Sequence, residues 1–106
     1  MTEADIQRKI LDWAAEHPDR VPCLFRCNSG MFVSYTGNPV RGAPKGTPDL
    51  IGYLPDGRML AVEVKGPKGV RRPEQTQWIV KARANGVVAN YVMSLAQFVE
   101  MLPPVN

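Results

Sequence analysis

A short turn between two apolar segments constrains the fold of this chain more than any other feature of the sequence. Residues 49–54 and 58–65 have the composition of strands, and Pro55-Asp56-Gly57 separates them. Proline at the second turn position and glycine in a left-handed position suit a three-residue loop built on a type I turn. The sequence therefore predicts an antiparallel hairpin in which Leu54 pairs with Arg58.

The length of this loop determines which residues face each other across the hairpin. Three opposed pairs follow from it: Tyr53 with Met59, Ile51 with Ala61, and Asp49 with Glu63. Opposed residues point to the same side of a sheet, so Asp49 and Glu63 are expected to meet, with Lys65 one pleat away at roughly 7 Å. A two-residue Asp56-Gly57 turn would shift the register by one and turn Asp49 away from Glu63. We favour the longer loop because the turn residues and the paired charges agree on it.

The hairpin is expected at the centre of a sheet. Its other face carries apolar or small residues: Leu50, Gly52, Leu54, Leu60, Val62 and Val64. Ile51 and Ala61 make the face of the acids partly apolar as well. A hairpin with two apolar faces needs helices on both sides to remove those faces from water.

Helix and strand signals surround the hairpin in the order α-β-(β)-β-β-α-β-α. The predicted helices begin at Thr2, with Asp5 completing a capping box, at Pro73, and at Ser94, with Gln97 in a second capping box. They are expected to end near residues 17–18, 85 and 102. Further strands are predicted over residues 21–27 and 87–93, with a short strand at 31–35 inside a long loop over residues 28–47. The helix over 73–85 would be a right-handed crossover between parallel strands, and residues 1–106 would form a single domain.

The scarcity of histidine limits the chemistry open to this chain. His17 is the only histidine, at the end of a predicted helix, where we expect a surface or capping role. A Ser-His-Asp or Cys-His triad or a histidine-rich zinc site would have to rest on that residue. Cys23 and Cys27 lie four residues apart, a poor zinc spacing, and are expected to be reduced and at least half buried. Catalysis must therefore come mainly from carboxylates, lysine and a metal.

Charged residues on buried strands point to a metal site. Asp49 and Glu63 on adjacent strands could bind one Mg2+ or Mn2+, with water and phosphate oxygens completing the coordination. The metal would stabilise charge on a phosphate and lower the pKa of an attacking water. Lys65 would orient that water or stabilise the developing oxyanion, and the carbonyl of Val64 could be a further ligand. The alternative is a buried ion pair that serves the structure alone.

These segments resemble a known signature. Gly46-Thr47-Pro48-Asp49-Leu50-Ile51 and Ala61-Val62-Glu63-Val64-Lys65 are similar to the motif of PD-(D/E)XK nucleases. The run Lys68-Gly69-Val70-Arg71-Arg72-Pro73-Glu74-Gln75, an acid-led helix over 3–13 and Arg26-Cys27-Asn28-Ser29-Gly30 bring the match closer to the virus-type replication-repair nuclease (VRR-Nuc) branch. The resemblance covers about residues 3 to 100. Arg72 departs from it, because a short hydroxyl cap is usual before the proline.

The resemblance implies a fold and a set of site residues. The fold would be α/β, with a restriction-endonuclease-like αβββαβ core and a central mixed sheet flanked by helices. Asp49, Glu63 and Lys65 would be the catalytic core of a metal-dependent nuclease. Glu3 would be an acid from the first helix near the metal, and Gln75 a helix-start residue that faces the site.

Basic residues in two loops suggest a polyanionic partner. The net charge is +3, and the cations expected to flank the site are Arg41, Lys45, Lys68, Arg71 and Arg72. They could contact phosphates, which would make binding salt-sensitive and largely independent of sequence, or they could be solvated loop charges. Tyr35, Tyr53 and Trp78 are expected to be packing residues, and the sequence contains no evident aromatic platform for bases.

Three functional hypotheses follow. The first is a Mg2+- or Mn2+-dependent DNA endonuclease that selects structure over sequence; the resemblance suggests a homodimer that cuts branched DNA such as Holliday junctions. The second is a catalytically inactive, nuclease-like nucleic-acid-binding module, and the third is a nuclease acting on RNA. No apolar run has the roughly 20 residues of a membrane span, and the N-terminus has no signal-peptide pattern. We therefore expect a cytoplasmic protein of a bacterium or phage-infected host cell.

Overall fold

The computed structural model describes residues 1–27, 31–33 and 35–104, with the side chains of residues 31–33, 40 and 41 outside that description. Its elements in chain order are α1 (Glu3–Glu16), β1 (Cys23–Arg26), β2 (Met31–Val33), β3 (Pro39–Arg41), β4 (Leu50–Tyr53), β5 (Met59–Val64), α2 (Pro73–Ala84), β6 (Val88–Val92) and α3 (Leu95–Met101). Four strands form one sheet in the order β1-β4-β5-β6. This sheet is mixed, because β5 and β6 are parallel while the other neighbours are antiparallel. The αβββαβ core is confirmed.

The β4–β5 hairpin has the predicted register. Tyr53 pairs with Met59, and the ladder continues to the pair of Leu50 with Val62. The Leu54 N–H donates to the Arg58 carbonyl at 2.9 Å, and Gly57 has a φ of +90°, as the three-residue loop requires. Asp49 and Glu63 are the next two residues in this register.

Helices cover both faces of the sheet, as the apolar hairpin predicted. On one face, residues of α1 and α3 pack against β4 and β5; the fully buried members of this core include Ile10, Leu50, Leu60, Val62 and Phe98. On the other face, Ile79 and Ala82 of α2 pack against Ala61, Ala89 and Tyr91. The acids lie on the face of α2, at the end of β4 opposite to the turn.

The helix ends explain two sequence signals. The Thr2 hydroxyl accepts from the Asp5 N–H at 3.2 Å and the Asp5 carboxylate accepts from the Thr2 N–H at 3.0 Å, which confirms the capping box. His17 ends α1: its Nδ1 lies 2.7 Å from the Trp13 carbonyl and its ring stacks on Trp13. The second capping box is only half formed. The Ser94 hydroxyl accepts from the Gln97 N–H, but the Gln97 side chain accepts from the Met93 N–H instead of that of Ser94.

Two other expectations need correction. The predicted strand at 31–35 does not extend to Tyr35: β2 spans Met31–Val33, and Ser34 lies outside the described residues. This strand pairs in a separate two-stranded sheet with β3, which the glycine and proline content of the segment had concealed. Tyr35 is fully exposed and Tyr53 is 51% exposed, so neither is a packing residue. Tyr35 lies in a turn, and Tyr53 lies at the turn end of β4. Trp78 does pack against the α2 core.

The predictions for the two cysteines and for the end of α2 agree with the structure. Cys23 and Cys27 are free thiols and half buried, as expected. Gly86 follows α2 with a φ of +86°, the left-handed conformation that closes the predicted helix. Within the described ranges, no helix has the length and apolar character that crossing a membrane requires.

Candidate active site

Hydrogen bonds to the two neighbouring strands fix the position of Asp49. The Asp49 carbonyl accepts from the Cys27 N–H at 2.7 Å, which ties it to the end of β1. Its Oδ2 accepts from the Val64 N–H at 3.0 Å, which ties the side chain to β5. Asp49 is thus held between the two neighbouring strands, close to Glu63.

Glu63 is a buried acid with a charged residue on each side. Only 3% of it is exposed, and the Lys65 Nζ lies 3.6 Å from its Oε2. Burial, then the charge of Asp49 and a hydrogen bond with that side chain, raise the pKa of Glu63 to about 8, although Lys65 acts in the opposite direction. In the protein without metal, the acid pair therefore retains a proton at neutral pH.

Gln75 connects the start of α2 to the acid pair. Its Nε2 donates to the Glu63 Oε2 at 3.3 Å, and its Oε1 accepts from the Arg72 N–H at 3.1 Å. One amide thus orients the carboxylate and satisfies the first free N–H of the helix. The second bond is the half of a capping box that needs no hydroxyl at the preceding position, so the helix begins at Pro73 although Arg72 offers none.

Glu3 approaches the site from α1 through a turn. Its Oε1 accepts from the Gly66 N–H at 3.2 Å. A Cβ on Gly69 would lie 2.7 Å from the Glu3 Oε1 and 3.0 Å from the Lys65 Cδ, so this turn packs closely on both side chains. Among the described residues, no three His, Cys, Asp or Glu side chains are arranged to hold a metal. The metal-binding roles of Glu3 and the Val64 carbonyl therefore stay predictions.

The donor set at the acid pair suits a hard divalent cation. Two carboxylates in contact offer oxygen ligands of the kind that Mg2+ and Mn2+ prefer. Lys65 alone does not keep both acids ionised, because the pKa of Glu63 is still raised. A cation bound between Asp49 and Glu63 would stabilise their ionised forms. Mg2+ commonly uses only one or two protein carboxylates and takes its other ligands from water and phosphate, so a pair of acids is sufficient.

The two basic loops meet at the start of α2. Lys45 lies 3.9 Å from Glu74 and its side chain is 81% exposed. A Cβ on Gly46 would lie 2.5 Å from the Glu74 carbonyl oxygen, so the loop before Asp49 packs on the first turn of α2. The other loop carries exposed cations next to the same turn: Lys68, Arg71 and Arg72. Arg41 belongs to β3, and its side chain lies outside the described residues.

Two polar residues that the sequence did not indicate, Tyr91 and Thr76, also lie beside the site. Tyr91 is the β6 partner of Glu63, and its hydroxyl lies 2.7 Å from the Thr76 Oγ1. The Arg71 Cζ lies 4.3 Å from the centre of the Tyr91 ring. The crossover predicted that β6 is parallel to β5, but no local signal fixed the register between them. Tyr91 therefore could not be placed opposite Glu63 from the sequence.

Comparison with known proteins identifies one family. The family model described as the VRR-NUC domain matches residues 1–94, which include Glu3, Asp49, Glu63, Lys65 and Gln75. No curated protein has a significant match to the sequence.

Proposed function

The chain belongs to the VRR-NUC family, and on this premise we propose that it is a metal-dependent, structure-selective DNA endonuclease. The VRR-NUC domain is a nuclease-family domain. The observation that carries the proposal is the contact between Asp49 and the buried Glu63, with Lys65 beside them. This set of side chains suits phosphodiester hydrolysis better than it suits stability, since a buried Glu63 that must retain a proton beside Asp49 costs folding energy at neutral pH.

Asp49, Glu63 and the Val64 carbonyl would hold the Mg2+ or Mn2+ ion, with Glu3 as a further predicted ligand. When bound, the ion supplies a water of lowered pKa and neutralises charge on the phosphate. The Asp49 carboxylate is held in place by the Val64 N–H, and Glu63 is held by Gln75. Both acids would therefore keep their positions when the retained proton leaves.

Lys65 would act on the reacting atoms. In the reaction, the oxygen of a water molecule bonds to phosphorus while the bond to a sugar oxygen breaks, and the water proton ends on solvent or on that leaving oxygen. The buried ammonium of Lys65 would donate to the attacking water or to the phosphate oxygen on which charge develops. Gln75 donates to Glu63, so we propose that it assists catalysis by positioning this acid.

The cations that the sequence predicts to flank the site would bind the rest of the DNA. Arg41, Lys45, Lys68, Arg71 and Arg72 are proposed phosphate ligands, which favours recognition of backbone shape over base sequence. A homodimer with two sites related by a twofold axis would suit a branched substrate such as a Holliday junction. We place this activity in the cytoplasm of a bacterial or phage-infected cell.

The test is cleavage of a labelled four-way junction and of a linear duplex of the same sequence. We expect cutting with Mg2+ or Mn2+, none with EDTA, and a loss of at least about 100-fold in Asp49→Asn and Lys65→Ala. Arg58→Ala is the matched control, because this cation pairs with Asp56 at the far end of the hairpin. Metal-independent cutting, or full activity in both variants, would contradict the mechanism.

Two other outcomes would identify the competing functions. Binding of the junction without cleavage in any divalent metal would favour a catalytically inactive nuclease-like module. Faster cleavage of an RNA strand of the same sequence would make RNA the substrate. Analytical ultracentrifugation of the same preparation tests the homodimer, which predicts twice the chain mass of 11.7 kDa.

A further inference from the structure

Arg71 lies in the loop before α2 and is held over an aromatic ring. Its Cζ is 4.3 Å from the centre of the Tyr91 ring, within the range of a cation–π contact. Tyr91 is only 9% exposed, and such contacts are stronger when water is excluded from the ring. The guanidinium is therefore expected to keep one preferred position, although the loop around it is exposed.

Tyr91 is itself fixed in position beside the acid pair. Its hydroxyl lies 2.7 Å from the Thr76 Oγ1, so α2 holds the far end of the ring. Its Cα is the partner of Glu63 in the parallel β5–β6 ladder. Opposed residues on neighbouring strands share a face, and the strands lie about 4.8 Å apart. The ring thus places the Arg71 guanidinium at the β6 side of the candidate active site.

The guanidinium of Arg71 has no carboxylate partner among the described residues. Three cations do form ion pairs there: Lys45 with Glu74, Arg58 with Asp56, and Lys65 with Glu63. A contact with the face of a ring does not engage the N–H groups of a guanidinium in an ion pair, so these donors can bind phosphate oxygens. An unpaired arginine, held on the ring opposite the buried Glu63, is arranged to bind an anion.

We propose that Tyr91 is a positioning residue. It orients the guanidinium of Arg71 so that this group binds a backbone phosphate of the DNA next to the phosphate that is cut. The inference rests on the proposed function, because it assumes that DNA crosses the sheet at Asp49 and Glu63. It adds a residue that touches no substrate atom and acts through Arg71. Thr76 supports this arrangement through the Tyr91 hydroxyl.

A double-mutant cycle tests the coupling between the ring and the cation. Binding of a fluorescent four-way junction is measured with Ca2+ in place of Mg2+, for Arg71→Ala, Tyr91→Leu, the double variant and Tyr91→Phe. We expect Arg71→Ala and Tyr91→Leu each to weaken binding about three- to tenfold, and the double variant to bind no more weakly than Arg71→Ala. Tyr91→Phe keeps the ring but loses the bond to Thr76, so it should weaken binding less than Tyr91→Leu does. Tyr91→Leu leaves the net charge unchanged, so a general charge effect cannot produce its loss.

Arg72→Ala is the matched control, since it removes an adjacent cation that has no aromatic contact among the described residues. In the Arg72→Ala/Tyr91→Leu double variant, the fold-losses in binding of the two single variants should multiply, as expected for independent residues. If Tyr91→Leu weakens binding equally with and without Arg71, its role is structural and the inference is overturned.

A second variant keeps the inference testable if Tyr91→Leu does not fold. Arg71→Lys retains the charge but lacks the planar group that stacks on the ring. We expect it to bind more weakly than the unaltered protein, and normal binding would overturn the inference.

Measurements on the unaltered protein distinguish failure of the proposed function from failure of this inference. If it neither binds nor cuts the junction, the proposed function fails and this inference with it. If it cuts while the cycle is additive, only this inference fails.

Discussion

Glu63 combines burial with a neighbouring carboxylate, and both raise its pKa, to about 8. The unfolded chain would release this proton near the ordinary pKa of 4.5. Between these two values the folded protein binds a proton that the unfolded chain does not. Glu63 therefore lowers the stability of the folded protein in neutral solution. A divalent cation bound by Asp49 and Glu63 would take the place of the proton and restore that stability.

The metal-free protein should lose stability as the pH rises from about 5 to about 8. Stability falls with pH wherever the folded state binds more protons, which is the case here for Glu63. Urea unfolding in EDTA at several pH values measures the effect, with Glu63→Gln as the comparison. The variant should show a flatter profile over this range. An equally steep decline in Glu63→Gln would assign the effect to another group.

At the scale of elements, the start of α2 organises the site. Gln75 in its first turn binds Glu63, and Gly46 packs against the Glu74 carbonyl of the same turn. The helix itself was predictable, because Pro73 and Gly86 mark its two ends. The contact of this helix with the loop before Asp49 was not predictable. The only trace of such a close backbone approach in the sequence is a glycine, and a glycine does not identify the segment that it touches.

Two glycines with the same backbone conformation should respond differently to alanine. Gly46 and Gly57 have φ values of +91° and +90°, but only at Gly46 would a Cβ meet another backbone atom, the Glu74 oxygen at 2.5 Å. Gly57→Ala should cost about 1–2 kcal/mol and leave cleavage unchanged. Gly46→Ala should cost about 2–5 kcal/mol and also reduce cleavage, because it displaces the turn that carries Gln75.

Denaturant unfolding and cleavage rates on the same preparations measure both effects of the glycine pair. Equal stability losses in the two variants would show that the loop before Asp49 does not press on α2. A Gly46→Ala protein with full activity would show that the α2 start does not position the acids.

For the whole molecule, metal binding and folding should be linked. A ligand that binds only the folded state raises its stability in proportion to the logarithm of concentration, by about 2.7 kcal/mol at 100 times the dissociation constant. Mg2+ should therefore raise the thermal midpoint of the protein, and the increase should be larger at pH 8 than at pH 6, because less of the Glu63 proton must be displaced.

Thermal unfolding with Mg2+ and with EDTA measures this linkage. Asp49→Asn should remove most of the increase, while Arg58→Ala, at the distant turn, should retain it. A midpoint that Mg2+ does not alter, in a protein that cuts DNA, would mean that the metal arrives only with the substrate phosphate.

Much of the fold and the centre of the site follow from the sequence alone. The loop at Pro55-Asp56-Gly57 determined the β4–β5 register and so the meeting of Asp49 and Glu63, because turn geometry and the alternation of side chains are local properties. The resemblance already predicted that Gln75 and Glu3 lie near the site. Only the tertiary structure decided that Tyr91 lies opposite Glu63, that Gln75 donates to Glu63 and that Glu3 accepts from the Gly66 N–H. These contacts depend on how α1 and α2 pack against the sheet, and a crossover helix leaves the register of its two parallel strands to that packing.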